Sequence, residues 1–95
     1  MMRKNYNEKL ETLRDQIDSA DKALYEALHN RLQVVTKIAD LKKEYGILEM
    51  SKSRQTEILE KLSYHENIPK SLITKLYNII FEYSIQKQES IINTK

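Results

Sequence analysis

The sequence predicts an all-α fold of three helices per chain, one of them very long, assembled as an intertwined homodimer. Three observations carry that expectation. The 95 residues contain one Gly and one Pro, too little punctuation for a fold of many strands and tight turns. Apolar residues recur at gaps of three and four, the helical period. The first such pattern is longer than a compact chain of 95 residues is wide, so its helix needs a partner from outside its own chain.

The first helix is read from Leu10, Leu13, Ile17, Ala20, Leu24, Leu28, Val35, Ile38 and Leu41, a rhythm broken by one double step across Arg31. Asn5 or Asn7 is the expected start, since either can cap it, and Gly46 the expected end, behind Lys42 and Lys43. At about 1.5 Å per residue, roughly 38 residues span about 57 Å. The second helix is expected after Ser51 or Ser53 and runs to about Tyr64, carrying Ile58, Leu59 and Leu62. The third opens at Pro69, suited to a first helical position, and continues through Ile73, Leu76, Ile80 and Ile85 towards Ile91. No repeat or linker divides the chain, so residues 1–95 are expected to form a single domain without a fused second catalytic segment.

Charge and composition exclude several classes. Lys and Arg number 16 against 14 Asp and Glu, a formal charge of +2, with both signs scattered along the chain. That argues against a nucleic-acid tail or a polybasic membrane patch. There is no cysteine, hence no disulfide framework and no thiolate metal site. The N-terminus MMRKNYNEKLETL has no apolar signal core, and no apolar run approaches a membrane span. A soluble, cytoplasmic protein is expected. His29 and His65 are far apart and lack any metal-binding spacing, so neither a metal nor a cofactor is expected. No glycine-rich phosphate loop and no Ser-His-Asp context occurs, and the six tyrosines lack the interleaved basic residues of a base-stacking platform.

The informative residues are polar ones that interrupt the apolar faces. Arg31 stands between Leu28 and Val35, and Lys42, eleven residues later, returns to within about 20° of the same direction. Their backbones are roughly 16 Å apart, close enough for two long side chains to bracket a small dianion. The alternative is that both snorkel from the rim of the core. Ser84 and Gln88 continue the stripe of Tyr77 and Ile80 on the third helix, placing two hydrogen-bonding groups one turn apart on an inward face. They either meet a ligand, or satisfy each other or a nearby backbone group. Arg14 lies 17 residues before Arg31, about 26 Å away along the helix and rotated by about 100°. It can serve the same site only from a second protomer; taken alone, an exposed ion pair with Asp18 at i+4 accounts for it. In EMSKSRQTEILEKL, residues 49–62, Arg54 and Gln55 precede Ile58 and Leu59 by one turn. The stretch is either a helix cap or one wall of an anion site.

Taken together, LRDQIDSADKALYEALHNRLQVVTKIADLKK, SRQTEILEKL and ITKLYNIIFEYSIQKQ resemble the all-helical class of chorismate mutases over roughly residues 8–92. The resemblance places Arg14, Arg31, Lys42, Arg54, Ser84 and Gln88 at the family's ligand-binding positions. It implies an intertwined dimer with two sites, each completed by the arginine of the partner's first helix, and rearrangement of chorismate to prephenate in phenylalanine and tyrosine biosynthesis. By the same resemblance, Arg14 of one protomer with Arg31 and Arg54 of the other grip two carboxylates, helped by Ser84. Lys42 and Gln88 donate to the ether oxygen, where negative charge develops, so Lys42, Gln88 and Arg31 are the expected catalytic residues. The stretch at residues 49–62 becomes both cap and anion wall: Ser51 or Ser53 begins the helix, Arg54 turns inward, and Ile58 and Leu62 hold that turn against the core.

Two residues depart from the family pattern. Ser51 stands where an aspartate is common, and either can cap a helix. Gln55 stands where a glutamate is common, which keeps an acceptor oxygen for a ring hydroxyl of the substrate but removes its charge. The resemblance also admits an isochorismate pyruvate lyase, an aminodeoxychorismate mutase, or a non-catalytic helical regulatory module on the same fold.

Overall fold

The computed structural model describes residues 2–94, which form three helices: α1 (Met2–Glu44), α2 (Lys52–Ser63) and α3 (Lys70–Ile92). No strand occurs among the described residues. The start of α1 differs from expectation. Neither Asn5 nor Asn7 caps it, because Arg3 and Lys4 are themselves good helix formers and nothing upstream of either asparagine breaks the pattern. Its end follows the sequence. Gly46 takes the left-handed conformation, with φ 69°. Its N–H donates to the Lys43 carbonyl at 3.2 Å, and the Ile47 N–H donates to the Lys42 carbonyl at 2.8 Å. These are the paired bonds of a Schellman turn, which satisfies carbonyls the helix cannot.

Ser51, not Ser53, caps α2. Its backbone is extended, at φ −85° and ψ 104°, and its hydroxyl accepts from the Arg54 N–H at 3.2 Å. Ser53 is one turn-position late and instead shares a 3.0 Å hydroxyl contact with Ser51. Pro69 lies one residue outside α3 rather than at its first position. Its φ of −57° suits a helix, but its ψ of 136° is extended. Its carbonyl accepts the first helical bonds, from Leu72 and Ile73.

The chain divides into two units, Met1–Gln33 and Val34–Lys95. The first is α1 alone. Its apolar stripe meets water, with Leu13, Ile17 and Leu24 at 55%, 58% and 52% exposure. A helix of ordinary composition draws most of its stability from packing such a face. The second unit holds the C-terminal turns of α1 with α2 and α3, and α2 packs on α3. The buried residues here are Val35 and Ala39, one turn apart on α1, and Phe81 and Ser84 on α3. The Tyr77 and Phe81 rings meet 5.6 Å apart at a tilt of 58°, a favourable aromatic geometry.

On α3 a second apolar stripe, Leu72, Leu76, Ile79 and Tyr83, escapes that core, with exposures from 37% at Leu76 to 67% at Ile79. Leu76, which the sequence pattern runs together with Ile73 and Ile80, lies on this outer stripe. A helix apolar on two sides is built to be covered on both. No helix among the described residues is long and apolar enough to cross a membrane.

The Schellman turn gives a direct test. A Cβ on Gly46 would meet no atom within 4 Å, so Gly46→Ala is strained through its backbone alone. It should lower unfolding stability by about 1 kcal/mol in a urea titration at fixed protein concentration, and Gly46→Asn by less. Equal midpoints for all three proteins would show that the positive φ is not required.

Candidate active site

Lys42 is rooted three residues from the end of α1, where its carbonyl is engaged by the turn at Gly46. Its side chain is half-buried. The ammonium donates to Gln88 Oε1 at 2.8 Å, joining residues 46 positions apart. It also lies 3.7 Å from Met50 Sδ. The neighbouring Lys43 ammonium donates to the Thr94 carbonyl. Two consecutive lysines therefore tie the end of α1 to the last turn of α3 and to Thr94 just beyond it. Gln88 Oε1 and, more weakly, Met50 Sδ engage two of the three ammonium donors of Lys42, so the cation is held with a donor left over.

Ser84 stands one turn before Gln88 and is 5% exposed. Its hydroxyl donates to the Ile80 carbonyl at 2.7 Å, the back-bonding that lets a serine sit inside a helix. To donate to a ligand carboxylate the hydroxyl has to rotate away from Ile80.

Arg54 corrects one expectation. It does not turn inward. Its side chain is 57% exposed and lies along α2, where it donates to Glu57 Oε1 at 2.9 Å; Lys61 reaches the same oxygen at 2.9 Å. The carboxylate three residues on is an anion within its own helix, and the i, i+3 spacing faces the two together. Lys61 first, through hydrogen bond and charge, and then Arg54 hold the Glu57 carboxyl below its ordinary value of 4.5. Gln55, in the first turn of α2, is half-buried, and Ser51 is committed to the helix cap.

Arg14 and Arg31 lie in the first unit. Arg14 is exposed and pairs with Glu11 at 2.8 Å, not with Asp18. An acidic residue N-terminal to its basic partner is the better orientation on a helix. Arg31 is half-buried on α1.

The structure thus joins Lys42 to Gln88 and Ser51 to the backbone of Arg54, and it adds Met50, which sequence reasoning passed over. The sequence held no distinguishing signal, because Ile47 and Leu48 are apolar residues of the same connection and yet are exposed. A groove of about 240 Å³ between α2 and α3 is lined by Leu59 and Ile73 with Thr56, Ser63, Thr74, Glu60 and Lys70. None of the candidate site residues lines it, and one carboxylate beside one ammonium does not suit a dianion. No group of three or more His, Cys, Asp or Glu that could hold a metal ion occurs among the described residues.

A family model for chorismate mutase type II matches residues 13–89. The chain belongs to that family. Every site residue selected from the sequence, from Arg14 to Gln88, falls inside the matched segment of this chorismate mutase type II chain. The chain is also similar to a T-protein from Enterobacter agglomerans, 50% identical over 38 residues. That match covers 40% of this chain and 10% of the T-protein, so the chain spans only a small part of its curated relative. No solved structure matches the chain significantly.

Proposed function

We propose that this chorismate mutase type II chain rearranges chorismate to prephenate, at a site centred on Lys42 and Gln88. The observation that carries the proposal is the 2.8 Å bond between those side chains. It sets a cation and a neutral amide side by side in a half-buried place, where both can donate to one ligand oxygen. A Claisen rearrangement needs no nucleophile and no general base, only such donors together with groups that hold the substrate. The reaction is unimolecular: one C–O bond breaks as one C–C bond forms, with partial negative charge gathering on the ether oxygen. The protein has to hold the enolpyruvyl ether in its compact form and stabilise that charge. The Lys42 ammonium and the Gln88 amide N–H donate to the ether oxygen, and an interaction that strengthens as charge develops raises kcat rather than only tightening binding. Even a modest enzymatic rate enhancement requires about 8 kcal/mol, which a partly desolvated cation and conformational restraint together can supply.

The carboxylates of the substrate fall to arginines. Arg54 exchanges Glu57 for a substrate carboxylate, an exchange between two exposed anions that costs little. Arg31 takes part from the same chain, and Ser84 assists. Gln55 presents an uncharged acceptor to the ring hydroxyl. Arg14 comes from the partner subunit of a homodimer. The support for a dimer is the pair of uncovered apolar stripes, Leu13, Ile17 and Leu24 on α1 and Leu72, Leu76, Ile79 and Tyr83 on α3. Covering a leucine or isoleucine fully is worth about 1.5–3 kcal/mol, so a second copy laid on those faces supplies stability that the small buried core does not.

The test is an assay with product identification. Purified protein given chorismate should form prephenate, and given isochorismate should release no pyruvate; folded protein that leaves chorismate untouched would sink the proposal. Lys42→Ala should lower kcat by about 100-fold or more with a smaller change in KM and an unaltered helical circular dichroism spectrum. Mixing Arg14→Ala with Arg31→Ala protein should restore activity, because a heterodimer then holds one site with both arginines. Absence of any recovery, with subunit exchange verified, would show that the two arginines do not meet across chains.

A further inference from the structure

The Lys42 ammonium has a neighbour that the reaction does not explain. Met50 Sδ lies 3.7 Å from Lys42 Nζ, on the connection between α1 and α2. Residues 45–49 and 51 are exposed, and Met50 alone in that stretch is half-buried. The side chain that folds back is the one that meets the cation. The path is set by the end of α1, where Gly46 reverses the chain and Ile47 bonds to the carbonyl of Lys42 itself. Lys42 therefore anchors the turn that returns Met50 to its own ammonium.

The chemistry of the contact is unusual for a cation. Gln88 offers an oxygen at ordinary hydrogen-bond distance, whereas a thioether is a weak acceptor on a flexible, polarizable side chain. Sulfur can lie against an ammonium without neutralising it. A carboxylate in the same place would cancel the charge, and open solvent would compete for the donors. We infer that Met50 is a positioning residue for Lys42: it walls one side of the ammonium against water and leaves donor capacity for a ligand oxygen. Its kinetic consequence rests on the mutase reading; the contact itself does not.

Three substitutions separate the possibilities. Met50→Ala should lower kcat about tenfold with KM changed by less than about twofold, and Met50→Leu, of similar volume, should stay within about threefold of wild type. Met50→Glu should lower kcat about 100-fold at pH 7 and recover only as the new carboxylate, held below its ordinary range by the Lys42 charge, protonates, a dependence that loosened packing does not create. A readout without turnover accompanies these. In ligand-free Met50→Glu protein the Lys42 Cε and Nζ resonances should move as that carboxylate titrates, and in wild type they should move far less. Resonances that do not respond would overturn the inference whatever the enzyme does. Resonances that respond beside wild-type kcat in Met50→Ala and Met50→Glu would overturn the positioning role. A wild-type protein that forms no prephenate while the resonances respond would instead remove the mutase reading and leave the contact standing.

Discussion

A single charge-assisted hydrogen bond, from the Lys42 ammonium to the Gln88 amide oxygen, links the end of α1 to α3. Each partner is held at its own root. Lys42 sits in a helix turn closed by the Gly46 bonds, and Gln88 sits one turn past the buried Ser84. Hydrogen bonds to a charged group are worth about 1.5–3 kcal/mol, enough to fix a flexible lysine that otherwise loses side-chain entropy on being ordered. Lys43 adds a parallel tie to Thr94. In the proposed mechanism the tie to Gln88 lets the Lys42 ammonium meet developing charge with little rearrangement of its own.

Much of this was legible in the sequence, and the reasons differ by element. The end of α1 and the start of α2 follow from local chemistry: only glycine occupies a positive φ without strain, and a serine ahead of an apolar rhythm caps a helix. The start of α1 was misplaced because asparagine is tolerated inside a helix as well as at its cap, so composition alone does not choose between them. Lys42 and Gln88 were marked by periodicity as polar residues on inward stripes, and they meet. Arg54 was marked as inward-facing and lies outward, because Glu57 three residues away offers a local partner that the stripe does not register. Met50 carried no periodic signal, since it stands on a connection whose path depends on the turn at Gly46.

The two uncovered apolar stripes bear on the same question from the side of stability. Helical periodicity detected the stripe of α1, but on α3 it ran Leu76 together with Ile73 and Ile80 in one pattern, although Leu76 is more exposed than either. Apolar residues on two sides of one helix blur any single stripe, which is why the outer face of α3 was missed. In the proposed homodimer these faces are covered by a second copy, and the arrangement that completes the core also brings the partner subunit's Arg14 to the site. Folding, assembly and catalysis would then share one set of contacts, and a change on the outer stripe of α3 would affect all three.

In the proposed mechanism Lys42 and Gln88 bind developing charge more strongly than they bind the ground state. Calorimetric binding of a rigid bicyclic diacid, shaped like the compact transition state with its oxygen at the ether position, tests this most directly. Wild-type protein should bind the diacid at least about 100-fold tighter than chorismate, and Lys42→Ala should abolish most of that preference. Equal affinity for the two ligands in wild type, or an equal loss for both in Lys42→Ala, would contradict it.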